Sequence, residues 1–401
     1  MSSYGLPNPP KPAPPRRFRR RWIRRFLVLG AVLTLLFLPR LIWFRGPHQP
    51  VTPLPETRFV DLHVHTAGIG AGDSGCFVSA AMQSSYKFNL YLKSYGTTLE
   101  EVTREGDAII VRHIANQVAG SRHISHAVIV ALDGAIDEKT GELDRLRTEV
   151  YIPNEFLARE TARYTNLLWG ASINPLRPNA LERLDWAARN GAVLVKWIPS
   201  IMHFAPDDPR FIPFYQRLVA LQMPLLCHAG QERSFTLADD ALCDPQRLRL
   251  PLSQGVTVIA AHIASTGTHE NERDTDRLAR LMTEFPQLRT ELSSLTQINK
   301  PGYLREALTR SEFRDRIAYG SDFPLINTAL VSPWYHPLEL TTAQMQAIAA
   351  ETNAWDRDVA LKQALGAPTE VFSRSASWLR PRQNTVRSEV RNRPGKLGLQ
   401  N

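Results

Sequence analysis

Cysteine is scarce in this chain: Cys76, Cys227 and Cys243 in 401 residues, with no C-x-x-C pair. That excludes a disulfide scaffold, argues against a cysteine zinc site and leaves room for one bridge at most. Acidic residues are absent from residues 1–50, which hold ten Lys and Arg. Residues 374–401 hold seven Lys and Arg against the single Glu389, which leaves 31 basic and 38 acidic residues between, a net −7. The formal charge of +9 therefore belongs to the two ends, and a nucleic-acid-binding core is not indicated. No glycine-rich phosphate loop opens a predicted helix, and no internal repeat is present. The hydrophobic share of 43% with 22% charged residues excludes a disordered or collagen-like chain and supports a sizeable core.

Apolar runs near bilayer length are also lacking, with one exception. Residues 1–25 form a Pro- and Arg-rich basic tail, six prolines preceding the block Arg16, Arg17, Arg19, Arg20, Arg21, Arg24 and Arg25. Phe26 to Leu38 is then free of charge for thirteen residues, and nineteen are reached at Phe44 if Arg40 snorkels to the interface. No small-x-small cleavage pattern precedes Pro47, so residues 26–45 are expected to be an uncleaved single-pass transmembrane anchor. The arginine excess on its N-terminal side predicts a cytoplasmic N-terminus, an inner-membrane location and a globular part on the extracytoplasmic side. Residues 46–57, with four prolines, read as a spacer, and residues 373–401 as a basic tail.

Between these ends, residues 58–372 alternate short apolar runs with helical patterns. Strands are expected at Phe59–His63, Ile124–Leu132, Leu167–Ile173, Ala192–Ile198, Pro224–His228, Val256–His262, Leu288–Leu292 and Ile317–Asp322. Helical periodicity fits Asn154–Tyr164, Asn179–Asn190, Asp208–Gln222, Asn271–Phe285, Gly302–Ser311 and Thr342–Leu365. Eight such units indicate an α/β fold, a (β/α)₈ TIM-like barrel. The long connection from Thr66 to His123 carries its own helical patterns, Ser79–Lys93 and Thr98–Val118, and reads as a lid over the barrel mouth.

The strand endings carry the chemistry. Strand one closes Asp61-Leu62-His63-Val64-His65; residues two apart share a face, so His63 and His65 aim at one point and Asp61 is placed beside them, as a partner for a ring N–H or else as a buried hydrogen-bond acceptor. Lys196, His228, His262 and Asp322 stand after apolar residues at the ends of strands four, five, six and eight. Ionisable groups at the C-terminal ends of five barrel strands sit where such barrels keep their active sites.

The run Asp61-Leu62-His63-Val64-His65, Lys196, His228, His262 and Tyr319-Gly320-Ser321-Asp322-Phe323-Pro324 resembles the amidohydrolase superfamily, in particular its amidohydrolase-related branch, which also holds metal-dependent decarboxylases. The resemblance implies that His63, His65, His228 and Asp322 bind a divalent metal, Zn²⁺ above others. It leaves Lys196 and His262 with two readings. Lys196 is carboxylated and bridges two ions with His262 on the second, or it stays an ammonium for an anionic substrate group while His262 polarises the carbonyl. One ion is slightly preferred. The implied activity is hydrolysis of an amide, lactone or ester in a small molecule, with Asp322 moving the proton; decarboxylation and a non-catalytic tethered module are the alternatives.

Other polar residues are given lesser roles. His203 and His336, in loops near the mouth, and Asn174 and Glu291, at the ends of strands three and seven, could touch substrate, with a surface position the preferred expectation. His113, His123 and His126 are read as structural, Glu232 and Arg233 as able to orient a charged substrate, and Trp197 as packing under a helix.

Overall fold

The computed structural model describes residues 16–42 and 58–381, and side chains within 21–35 and 58–381. Eight parallel strands form the barrel: β1 (Phe59–His65), β2 (Ile124–Val130), β3 (Leu167–Gly170), β4 (Val195–Trp197), β5 (Leu225–Cys227), β6 (Val258–Ala260), β7 (Leu288–Glu291) and β8 (Ile317–Ala318). β1, β2 and β3 pair in chain order, as do β4 to β8. The two sheets are joined by parallel bridges, Ala171 to Val195 and Val64 to Phe323, so the ring closes on itself and leaves no free edge.

All eight expected strands are present, mostly shortened at their ends. The helical patterns also appear, but polar caps divide three of them. Ser85 caps a new helix inside Ser79–Lys93. Gly106, at φ +83°, ends the first helix of the 98–118 pattern. Asn353 accepts from the Trp355 and Asp356 amides and starts a second helix, Ala354–Ala364, within Thr342–Leu365. The last helix, Thr369–Trp378, crosses the boundary expected at 372/373. Trp378 joins the cluster of Leu62, Val128, Leu194, Leu226 and Ile259, a plug of apolar side chains inside the barrel of the kind this architecture requires.

The expected anchor is corrected. Among the described residues no helix is long and apolar enough to cross a membrane. A helix does run from Arg16 to Ile42, but seven arginines occupy its first ten positions. Its thirteen-residue uncharged run covers about 20 Å at 1.5 Å per residue, short of the roughly 30 Å hydrocarbon core. The transmembrane segment and the inner-membrane location drawn from it are therefore corrected, and no described element supports the membrane as a partner. Residues 43–45 of the expected anchor, the expected spacer at 46–57 and the region from 382 onward lie outside the described residues, as do residues 1–15.

Candidate active site at the barrel mouth

A register irregularity in β1 sets the site. Pairing with β2 shifts between Asp61 and Val64, so strict alternation breaks there. Leu62 packs in the interior cluster, and the His63 ring also lies among the site residues inside the barrel. Asp61 consequently turns outward. It accepts from the Trp355 indole at 2.7 Å, the Ser321 amide at 3.0 Å and the His63 amide at 3.1 Å. Burial pushes its pKa up to about 6. Of the two roles read for Asp61, the partner of a histidine ring N–H is thus corrected, and the buried hydrogen-bond acceptor is the one it has.

That position belongs to Glu291, at the end of β7. It is fully buried, not at the surface as expected, and its Oε1 lies 3.3 Å from His63 Nδ1. Around His63 Nε2 gather Lys196 Nζ at 3.0 Å, His65 Nε2 at 3.1 Å and Asp322 Oδ1 at 3.8 Å. His65 Nε2 is 3.3 Å from the same Asp322 oxygen. His262 stacks on His63 with ring centroids 5.3 Å apart and places Nε2 3.9 Å from Asp322 Oδ2. His228 meets the His262 ring edge-on at 5.2 Å, with Nδ1 3.6 Å from Glu232.

Backbone strain is concentrated at these positions. His262, Ile263, Ala264, Ser294 and Asp322 all have positive φ, a conformation costing about 1–2 kcal/mol per non-glycine residue. Side chains hold it: the His262 amide donates to Glu291 at 3.0 Å and the Ile263 amide to Thr290 Oγ1 at 3.2 Å. The Ser294 hydroxyl donates to Asp322 Oδ2.

Burial drives the titration of the site. The pKa values of His63 and His262 fall well below the usual imidazole range through burial, helped by Lys196 for the first and Lys300 for the second. Burial also lowers those of His228, Lys196 and Lys300. For Asp322 burial acts upward, but the neighbouring His262, His65 and His63 outweigh it and hold its pKa well below the usual carboxylate range.

The donor chemistry fits a divalent cation. Nitrogens of His63 and His262 and an Asp322 oxygen lie within 4.8 Å of one another. Nε2 of His228 is buried without a hydrogen-bond partner, a costly arrangement unless something else engages it. His65 lies beside the compact trio, and His228 at its edge.

These groups open into a cavity of about 170 Å³. The connection after β1 supplies an apolar wall that includes Met82, Phe88, Tyr91, Leu92 and Tyr95, consistent with a lid. Glu232, Arg233 and Lys300 also line it. Lys300, on the loop after β7, carries no motif in the sequence. Asn174 is buried, and its amide holds the Gly134 and Met202 carbonyls at 2.9 and 2.7 Å. His203 and His336 do not line the cavity. Trp197 packs on Phe204, Phe214 and Tyr215, outside the barrel interior as expected.

A family model described as Amidohydrolase matches residues 60–355. No curated protein matches. Among solved structures, an uncharacterised TIM-barrel protein from Bordetella bronchiseptica is 16% identical, covering 77% of this chain and 99% of that one, with a TM-score of 0.46. A probable 2-pyrone-4,6-dicarboxylic acid hydrolase from Acinetobacter baumannii is 13% identical over 80% and 99%, with a TM-score of 0.45. A 2,6-dihydroxybenzoate decarboxylase from Rhizobium is 14% identical over 72% and 98%, with a TM-score of 0.40. Identities at this level say nothing about substrate.

Proposed function

The chain belongs to the amidohydrolase family, and on that footing we propose that it is a metal-dependent hydrolase that cleaves an amide, lactone or ester bond in a small, anionic substrate. The observation that carries this reading is the meeting of His63, His65, Lys196 and Asp322 around one point, His63 Nε2, from three separated strand ends. His63, His65, His228 and Asp322 would hold the ion, with His262 and Lys196 adjoining. Zn²⁺ bound there would supply the Lewis acidity that lowers the pKa of water from 15.7 towards about 7.

The chain's own residues do the rest. Asp322, ionised and steadied by the Ser294 hydroxyl, takes the proton of the attacking water and returns it to the leaving group. Lys196 and Lys300 present positive charge to the anionic part of the substrate, and the wall of Met82, Phe88 and Tyr91 receives its apolar body. Placement on strand ends keeps the reacting groups in register.

The same two lysines support a second reading, decarboxylation, since both would grip a carboxylate. Incubating the purified protein with lactones, amides, esters and carboxylated aromatics, with CO₂ release followed in parallel, separates the two. Metal content is measured on the same preparation. Hydrolytic turnover that disappears in His63→Ala and Asp322→Asn, with the fold intact by circular dichroism, is the expected result. A His63→Ala protein with full activity and full metal content would overturn the proposal.

A further inference from the structure

We infer that Glu291 and Ser293 lock His63 and His262 in one tautomer, with the proton on Nδ1 of each ring, so that both Nε2 lone pairs are turned to the side of Asp322. The inference deepens the proposed function by assigning the state of two of its imidazoles, and it concerns residues that neither motif contains.

The assignment follows from counting donors and acceptors. A neutral imidazole carries one N–H and one lone pair, and its neighbours decide which nitrogen has which. His262 Nδ1 lies 2.6 Å from Ser293 Oγ and 3.2 Å from the Ser293 carbonyl oxygen. A carbonyl only accepts, so Nδ1 is the donor. The Ser293 hydroxyl then spends its own hydrogen on Glu291 Oε1 at 2.6 Å. That same oxygen, which also accepts the His262 amide at 3.0 Å, faces His63 Nδ1 at 3.3 Å, so His63 also donates from Nδ1. On the opposite side of the His63 ring, Lys196 Nζ stands 3.0 Å from Nε2, a donor meeting the lone pair. Every group in the chain His262, Ser293, Glu291, His63 is satisfied in this arrangement. Reversing His262 would set a lone pair against the Ser293 carbonyl, and reversing His63 would set one against Glu291 Oε1, both buried acceptors.

Glu291 also accepts the backbone amides of His262 and Ser293. One buried carboxylate therefore fixes the tautomer of one imidazole and, at the second, the left-handed backbone that aims it. The lock has a chemical consequence. A neutral His262 with its lone pair on Nε2 can ligate a cation or accept a proton, but it has no hydrogen to donate to a substrate carbonyl. Of the two roles the sequence leaves open for His262, the polarising donor is removed.

The test is the ¹⁵N spectrum of the imidazoles, recorded on the full chain after chelator treatment at neutral pH. Pyrrole-type Nδ1 and pyridine-type Nε2 signals for both His63 and His262, assigned through His→Gln variants at each position, are expected. A proton on Nε2 of either ring overturns the inference, whatever the activity. Zinc affinity, measured by competition with a chromophoric chelator, gives the second readout. Glu291→Ala is expected to weaken it 10–100-fold and to bring out an Nε2–H signal at His63. Glu291→Gln keeps an oxygen towards Nδ1 and recovers part of the loss. Affinity within about twofold of wild type in Glu291→Ala also overturns the inference. If that variant does not fold, the wild-type spectrum decides alone. Locked tautomers in a protein without hydrolytic activity would sink the proposed function and leave this inference standing.

Discussion

Replacing Trp355 by Phe should loosen the barrel at the seam where its first and last strands meet. Trp355 is completely buried, lies flat on Phe323 with ring centroids 4.4 Å apart, and donates to Asp61 Oδ2 at 2.7 Å. Asp61 in turn holds the Ser321 amide, beside Asp322, and the His63 amide. Phenylalanine keeps most of the stacking and loses the donor. A hydrogen bond to a charged group contributes about 1.5–3 kcal/mol, and the smaller ring leaves a void that adds roughly 1 kcal/mol. The expected loss is about 2.5–4 kcal/mol. Urea denaturation above about pH 7, where Asp61 with its pKa near 6 is ionised, gives the value from the shift in midpoint at unchanged slope. The same substitution in an Asp61→Asn background should cost about 1–2 kcal/mol less, because the charged acceptor is gone. A loss below about 1 kcal/mol, or equal losses in the two backgrounds, would refute the reasoning.

Two further outcomes are expected. Lys300→Met should raise KM for an anionic substrate about tenfold while changing kcat less than about twofold, since Lys300 lines the cavity without touching the His63 cluster; an equal effect on an uncharged analogue would remove Lys300 from anion recognition. Asp244 is bonded twice by Arg277, at 2.9 and 2.7 Å; burial acts to raise its pKa, and Arg277 outweighs it and holds the value below the usual carboxylate range. A depressed folded pKa means stability that is present above the unfolded value of about 4 and lost as pH falls through the folded one. Asp244→Asn should therefore be less stable than wild type at neutral pH and converge with it in acid; a gap that stays constant down to pH 3 contradicts this.

The sequence by itself determined the barrel. Eight short apolar runs, each ended by turn residues and followed by a helical pattern, have few ways to bury themselves other than a covered parallel sheet. It also determined where most of the candidate chemistry lies, because an ionisable residue closing an apolar strand has to face the barrel mouth or remain unsatisfied. His63, His65, Lys196, His228, His262 and Asp322 were all legible in this way.

What it did not determine were the partners of those residues. Alternation put Asp61 on the face of His63; the irregularity in β1, which depends on pairing with β2, turned Asp61 out to Trp355 and left the place beside the ring to Glu291. Nothing local marks Ser293 or Lys300, and Glu291 was legible only as a polar residue near the mouth, since a carboxylate, a hydroxyl or an ammonium near a strand end is equally at home in water. The apolar run at Phe26–Leu38 erred in the opposite direction: a pattern resembling a span did not amount to one once its length was set against a bilayer. Period and composition are properties of neighbours along the chain, whereas the state of a buried proton is fixed by groups 228 and 230 positions away from His63, which meet only when the barrel closes.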